Sequence, residues 1–239
     1  MSCPWALATD TGLVRDNNED AANAWPDMHL FAIADGMGGH VAGEVASHVA
    51  LQTVFDVVDS ARRPRNIAEE RSLLSSAVSA ANDAVVREGE VRGLEGMGTT
   101  LTLIRIRNRT VVAAHVGDTR LYVVERDKLD QITKDHTMVA MLVNAGAVHP
   151  KDAHVHPDRH LLTRAIGSEA DVRVDAVHAR IPRGSRLLLS TDGMHDLVPE
   201  DEILDLATRP SLDAAARALV EAANRHGGPD NSTVLLLEP

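Results

Sequence analysis

Four aspartates stand where apolar runs end or begin: Asp35-Gly36, Gly117-Asp118, Asp192-Gly193 and Asp230-Asn231. The first three close runs over 30–34, 111–116 and 187–189, and the fourth opens one over 234–237. If these runs are strands of one sheet system, the carboxylates can gather at one end of it. Gathered carboxylates repel unless a cation lies between them, and hard divalent cations prefer oxygen ligands. The pattern reads as a metal-dependent enzyme. Any single Asp-Gly pair is an ordinary turn, but that explanation weakens when several buried strands end the same way.

The string Asp35-Gly36-Met37-Gly38-Gly39-His40 is the most specific locally. Its glycines let the backbone approach a ligand closely, so that a carbonyl can point at a metal. The spacing G-x-G-x-x-G is absent, which rejects a dinucleotide loop. A cysteine-dependent phosphatase is rejected too. It needs Cys and Arg separated by five residues, whereas the lone Cys3 is matched by Thr9.

Elements must position these groups. The pattern predicts strands over 5–9 and 28–34 with a polar loop over 11–24 between them. A helix follows, with Ala46, Val49, Ala50, Thr53, Val54 and Val57 on one face. After a basic, Pro-containing loop over 60–66 comes a second helix through Leu74, Ala77, Val78, Ala81 and Val85, with Gly89 as its stop. Runs over 99–107, 110–116 and 121–125 read as an antiparallel meander. A short helix over 136–144 ends at Gly146, and 149–160, with four histidines and two prolines, reads as a long mobile loop. Strands over 172–181 and 186–190 follow, then helices over 200–207 and 212–226, with Ser211 as N-cap and Gly227 as stop. The last strand is 233–237. Regular βαβ alternation is missing, so the expected fold is α+β: two antiparallel sheets packed face to face with helix pairs outside.

The chain has 239 residues, 44% hydrophobic and only 2% aromatic, so its core must be aliphatic. The net charge of −11 disfavours a nucleic-acid partner, because duplex binding relies on Lys and Arg. One cysteine excludes an intrachain disulfide. No run of about 18 apolar residues is present, so no membrane span is expected. The N-terminus lacks the basic and apolar regions of a signal peptide. A cytoplasmic, monomeric single domain over 1–239 without leader, linker or tail is the expectation.

Seven strings occur in order: Arg15-Asp16-Asn17-Asn18-Glu19-Asp20, the run 35–40, Gly43-Glu44, Met97-Gly98-Thr99-Thr100, Val116-Gly117-Asp118-Thr119-Arg120, Ser190-Thr191-Asp192-Gly193 and Gly228-Pro229-Asp230-Asn231. Together they resemble the bacterial form of the PPM (protein phosphatase 2C-like) family of metal-dependent Ser/Thr protein phosphatases, over essentially the whole chain. The resemblance implies an αββα sandwich and two Mn2+ or Mg2+ ions, with a weaker third ion in bacterial members. Asp35 matches the carboxylate that bridges the pair, and Gly36 the residue that offers a carbonyl. Asp192 and Asp230 match the carboxylates completing the second ion, and Asp118, with Asp192, matches the third-ion ligands. Arg15 matches the phosphate-binding arginine. Catalysis would rest on Arg15, Asp35 and Asp192, with attack by a water or hydroxide bridging the ions. Glu19, Asp20 and Asn231 would stand behind the ligands.

By the same resemblance, a flap lies at about 146–167 and borders the site. Partners would be phosphoproteins, including a Ser/Thr protein kinase. In animal relatives a histidine proposed as general acid follows the Asp-Gly pair. Here that position is Met37, so the proton donor is open among a metal-bound water, His40 and a loop histidine. His154-x-His156 lacks the further ligands of a tetrahedral metal site and is read as solvated. Two other functions remain: the same site acting on phosphotyrosine or a phosphorylated transcription regulator, and a catalytically dead phosphoprotein binder. The intact aspartates argue against the last.

Overall fold

The computed structural model describes residues 3–38, 41–94 and 96–239. In chain order it runs β1 (Trp5–Asp10), β2 (Asp20–Trp25), β3 (Leu30–Met37), α1 (Val41–Ser60), α2 (Ile67–Arg92), β4 (Gly98–Thr99), β5 (Leu101–Arg107), β6 (Thr110–Val116), β7 (Arg120–Val124) and β8 (Leu129–Gln131). It continues with α3 (Met138–Asn144), a 3-10 turn over Pro150–Val155, β9 (Asp175–Arg180), β10 (Arg186–Ser190), α4 (Asp192–His195), α5 (Glu200–Ala207), α6 (Leu212–Arg225) and β11 (Ser232–Leu237).

Alternation along the strands stacks the layers. In β3, Leu30, Ala32 and Ala34 join the core under α1 and α2, whereas Phe31 and Ile33 face the opposite sheet. In β11, Val234 and Leu236 pack with α5 and α6, and Leu235 and Leu237 fill the space between sheets. Successive strand side chains point to opposite faces, so a continuous apolar run marks a strand covered on both sides. Each fully buried aliphatic side chain contributes roughly 1.5–3 kcal/mol. A one-residue slip would move every such side chain to the wrong layer. The result is the αββα sandwich: a sheet in the order β1-β11-β10-β7-β8 against one in the order β2-β3-β5-β6-β9, with β4 beside β3.

The meander is corrected. β5 and β6 pair through a turn at Asn108 and Arg109, both in left-handed conformation, but β7 leaves for the other sheet and pairs with β10. Runs buried on both faces carry no mark of which sheet they join. Gly117, with φ 104°, makes the crossing. The second half of the predicted polar loop forms β2, opposite β3. Helix α2 passes through buried Gly89 and ends at Gly93, with φ 65°. It begins where the Asn66 side chain accepts a hydrogen bond from the Glu69 amide at 2.9 Å. Strand β8 and helix α4 were not legible in the pattern.

Helix α1 is long and apolar enough, by length and composition alone, to cross a membrane. Its face of Ala46, Ala50 and Val54 is buried in the core shared with α2 and β3.

Candidate metal centre and active site

The strand ends converge on a cleft of about 900 Å³ lined by Arg15, Glu19, Asp35, Gly36, Asp118, Asp192, Asp230 and Asn231, among others. Each arrives on a different device. Asp35 lies near the end of β3, its amide bound to Thr100 Oγ1 at 2.9 Å and its carbonyl accepting from the Thr100 amide at 2.8 Å. Asp118 sits in the sheet-switching turn. Asp192 opens α4, and Asp230 precedes β11.

Gly36 is packed so closely that a Cβ there would overlap the backbone of Gly43 and Glu19. A Cβ at Gly193 would overlap the Asn231 carbonyl. Thus Gly43 and Gly193 both serve close packing around the acids. Asn231 ties the N-terminal loop to β11. Its side-chain oxygen accepts from the Glu19 amide at 2.7 Å, and its Nδ2 donates to the carbonyls of Thr11 and Asn17, each at 2.9 Å.

Asp20 stands directly opposite Asp35 across β2 and β3. Its Oδ2 accepts from Thr191 Oγ1 at 2.9 Å, and its Oδ1 is buried without a hydrogen-bond partner among the described residues. An unpaired buried carboxylate oxygen is costly. Burial, opposed by the threonine hydrogen bonds and reinforced by Asp192 and Asp230, pushes Asp20 up to about 7. Burial and then neighbouring aspartates also raise Asp35 and Asp118 well above the ordinary carboxylate range. Crowded acids and an orphaned oxygen are what a cation site requires, so the donor set fits the divalent pair that the resemblance implies.

Arg15 Nη2 donates to Asp230 Oδ2 at 2.8 Å at the cleft's edge. Met37 and Gly38 line the cleft. His40 and Gly39 lie outside the described residues.

Three features escaped the sequence reading. His136 Nδ1 accepts from the Gly117 amide at 3.1 Å, the His136 amide donates to the Gly117 carbonyl at 2.8 Å, and its Nε2 lies 3.2 Å from Asp175 Oδ2. This clasp fixes the turn that carries Asp118. Arg120 grips Asp135 through Nε and Nη2, at 3.0 and 2.6 Å, behind the acids. Asp196 follows Asp192 by one helical turn. That spacing of four was the one available signal. The loop histidines divide. His154 lines a second cavity of about 700 Å³. The Nδ1 atoms of His149 and His156 accept amides of their own turns, and His160 reaches the cleft. Cys3 is buried, and burial pushes its thiol up to about 11, which removes it as a nucleophile.

The sandwich and its acidic cleft define a class, and comparison with known proteins agrees. The family model described as protein phosphatase 2C matches residues 14–231. The chain belongs to the protein phosphatase 2C family. It is 41% identical over 236 residues to the serine/threonine protein phosphatase PstP of Mycobacterium tuberculosis, covering 98% of this chain and 44% of that protein. It is 37% identical to the serine/threonine phosphatase stp of Listeria welshimeri, covering 96% and 93%. A crystal structure of the PstP catalytic domain in complex with two manganese ions superposes with a TM-score of 0.87 at 38% identity, covering 99% of this chain and 98% of that one. The chain therefore spans less than half the length of its mycobacterial relative and nearly all of the Listeria one.

Proposed function

We propose that this chain is a metal-dependent protein phosphatase that hydrolyses phosphoserine and phosphothreonine in protein substrates. The observation that carries the reading is the set of carboxylates Asp35, Asp118, Asp192 and Asp230 lining one cleft, with buried Asp20 opposite Asp35 and its Oδ1 unpaired. Asp35, Asp192, Asp230 and the Gly36 carbonyl would hold a pair of divalent ions, manganese as in the PstP complex or magnesium. When bound, such a pair acidifies water and offsets phosphoryl charge. Asp118 with Asp192 is the family's pairing for a third ion. Arg15 would grip two phosphate oxygens in a forked contact, releasing Asp230 to its ligand role. Asn231 and Glu19 hold the loop that presents Arg15. Residues 159–165 wall the cleft, which supports the segment 146–167 as a flap over the substrate.

The protein would act as a cytoplasmic monomer opposing a Ser/Thr kinase, without nucleic-acid or membrane partners. Purified protein should hydrolyse p-nitrophenyl phosphate and phosphothreonine peptides with Mn2+ and stop with EDTA. Asp192→Asn should nearly abolish turnover. Full activity under thorough chelation would overturn the reading. Stable phosphopeptide binding without turnover would identify a binding homologue instead.

A further inference from the structure

His195 is a buried histidine that the chemistry above does not use. It closes α4 and lines the second cavity, and its side chain is 1% exposed. Its Nδ1 lies 2.8 Å from the Oγ of buried Ser190. Its Nε2 is buried with no hydrogen-bond partner among the described residues. Asp196 Oδ1, at 3.9 Å, is beyond hydrogen-bond reach. Burial, and then the charge of Arg120, hold the imidazole well below its ordinary range, so the ring is neutral and carries one hydrogen.

The position of that hydrogen follows from Ser190. The serine hydroxyl has His195 Nδ1 as its one partner among the described residues, so it donates to Nδ1. The ring hydrogen is then on Nε2. A buried N–H without an acceptor is costly, and a molecule in the cavity gains by supplying one.

The walls say what else that molecule carries. Val139 and Val143 of α3 and Leu197 and Val198 after α4 give an apolar lining suited to methylene groups. Asp196 and Glu200 add two carboxylates, and Lys134 and Arg159 two cations. Asp135 is closed off by Arg120 at 2.6 Å and Gln131 at 2.8 Å. A carboxylate ligand would meet Asp196 and Glu200. An ammonium has no acceptor for His195, and an aliphatic chain leaves the N–H unpaired. A carboxamide offers one acceptor for His195 and two N–H donors for the two carboxylates. The cavity is continuous with the acidic cleft, since Asp118, Arg159, Asp196 and Leu197 line both.

We propose that the second cavity is a side-chain pocket for a glutamine that flanks the phosphorylated residue of the substrate, with His195 as its specificity-determining residue. This rests on the phosphatase reading above and narrows its substrate class.

The test uses the full chain with Mn2+ and phosphothreonine peptides in which Gln, Glu, Lys, Leu or Tyr occupies each flanking position in turn. At one position Gln should exceed the other four in kcat/KM by roughly fivefold or more, as expected when a buried donor gains its partner. His195→Phe keeps a ring but removes the donor. Ala140→Leu fills the cavity from α3 and leaves the Ser190–His195 pair intact. Both variants should bring the ratio close to one while p-nitrophenyl phosphate turnover is kept. In wild type, 15N NMR should show the hydrogen on His195 Nε2, and that signal should shift with the Gln peptide and not with the Leu peptide. Peptide turnover without a Gln preference, a preference for Glu, Lys, Leu or Tyr, or a Gln preference that survives Ala140→Leu would overturn the proposal and leave the phosphatase reading standing. Gln-dependent peptide binding by calorimetry with no turnover would support the pocket while sinking that reading.

Discussion

Arg15 and Asp230 are joined at 2.8 Å across the mouth of the cleft, so the group suited to phosphate and a group suited to a metal hold each other. An ion held by Asp230 would compete for the same carboxylate and would free the guanidinium for substrate. Hydrogen bonds to charged groups are worth roughly 1.5–3 kcal/mol. Arg15→Ala should lower kcat/KM about 10–100-fold, mainly through KM if ground and transition states are gripped equally, while Mn2+ still binds. Steady-state kinetics beside calorimetry measures both, and an unchanged kcat/KM would remove Arg15 from the site.

Asp20 makes the stability of metal-stripped protein depend on pH in an unusual direction. Its folded value near 7 exceeds the unfolded value of about 3.9. Between these values the folded chain keeps a proton that the unfolded chain has released, so raising the pH favours unfolding. Asp35 and Asp118 shift the same way. In EDTA, Tm should fall from pH 5 to pH 7.5, reflecting a loss on the order of a few kcal/mol, and Mn2+ should reverse the fall. Asp20→Asn should raise Tm at pH 7.5 and flatten the slope. A Tm that climbs with pH in EDTA would refute this account.

His136 should matter to both stability and chemistry, because it clasps the turn bearing Asp118. His136→Ala opens a cavity and strands the buried Gly117 amide, at a cost of about 2–4 kcal/mol. His136→Asn places an amide oxygen near the Nδ1 position and should recover part of Tm and of activity. Equal loss in both variants would mean that the ring's packing, not its acceptor, is what counts. Thermal melts and p-nitrophenyl phosphate turnover together decide it.

The 3-10 turn over Pro150–Val155 carries exposed residues, and His154 lines the second cavity. Replacing residues 151–156 with a Gly/Ser segment should change kcat/KM on phosphopeptides more than on p-nitrophenyl phosphate, since the small substrate makes few contacts beyond its phosphate. Equal proportional losses on both substrates would show that the turn supports the chemistry itself.

The sequence alone determined the layers and the ligand candidates. Apolar runs such as 30–34 and 234–237 had to be strands covered on both faces, because alternate side chains cannot otherwise leave water. Asp35, Asp118, Asp192 and Asp230 could be read at their ends for the same reason. Only the tertiary structure decided which sheet each strand joined. The 121–125 run is as apolar as its neighbours, so nothing local announces that β7 crosses over at Gly117 and carries Asp118 to the cleft. Nor does local pattern reveal that His136 reaches back 19 residues to that turn, or that His160 turns toward Asp192 while His149 and His156 turn to their own loops. Those partners are distant along the chain. Their meeting is set by the packing of two sheets and the anchoring of the segment around Leu161 and Thr163, and no periodicity within a short window encodes it.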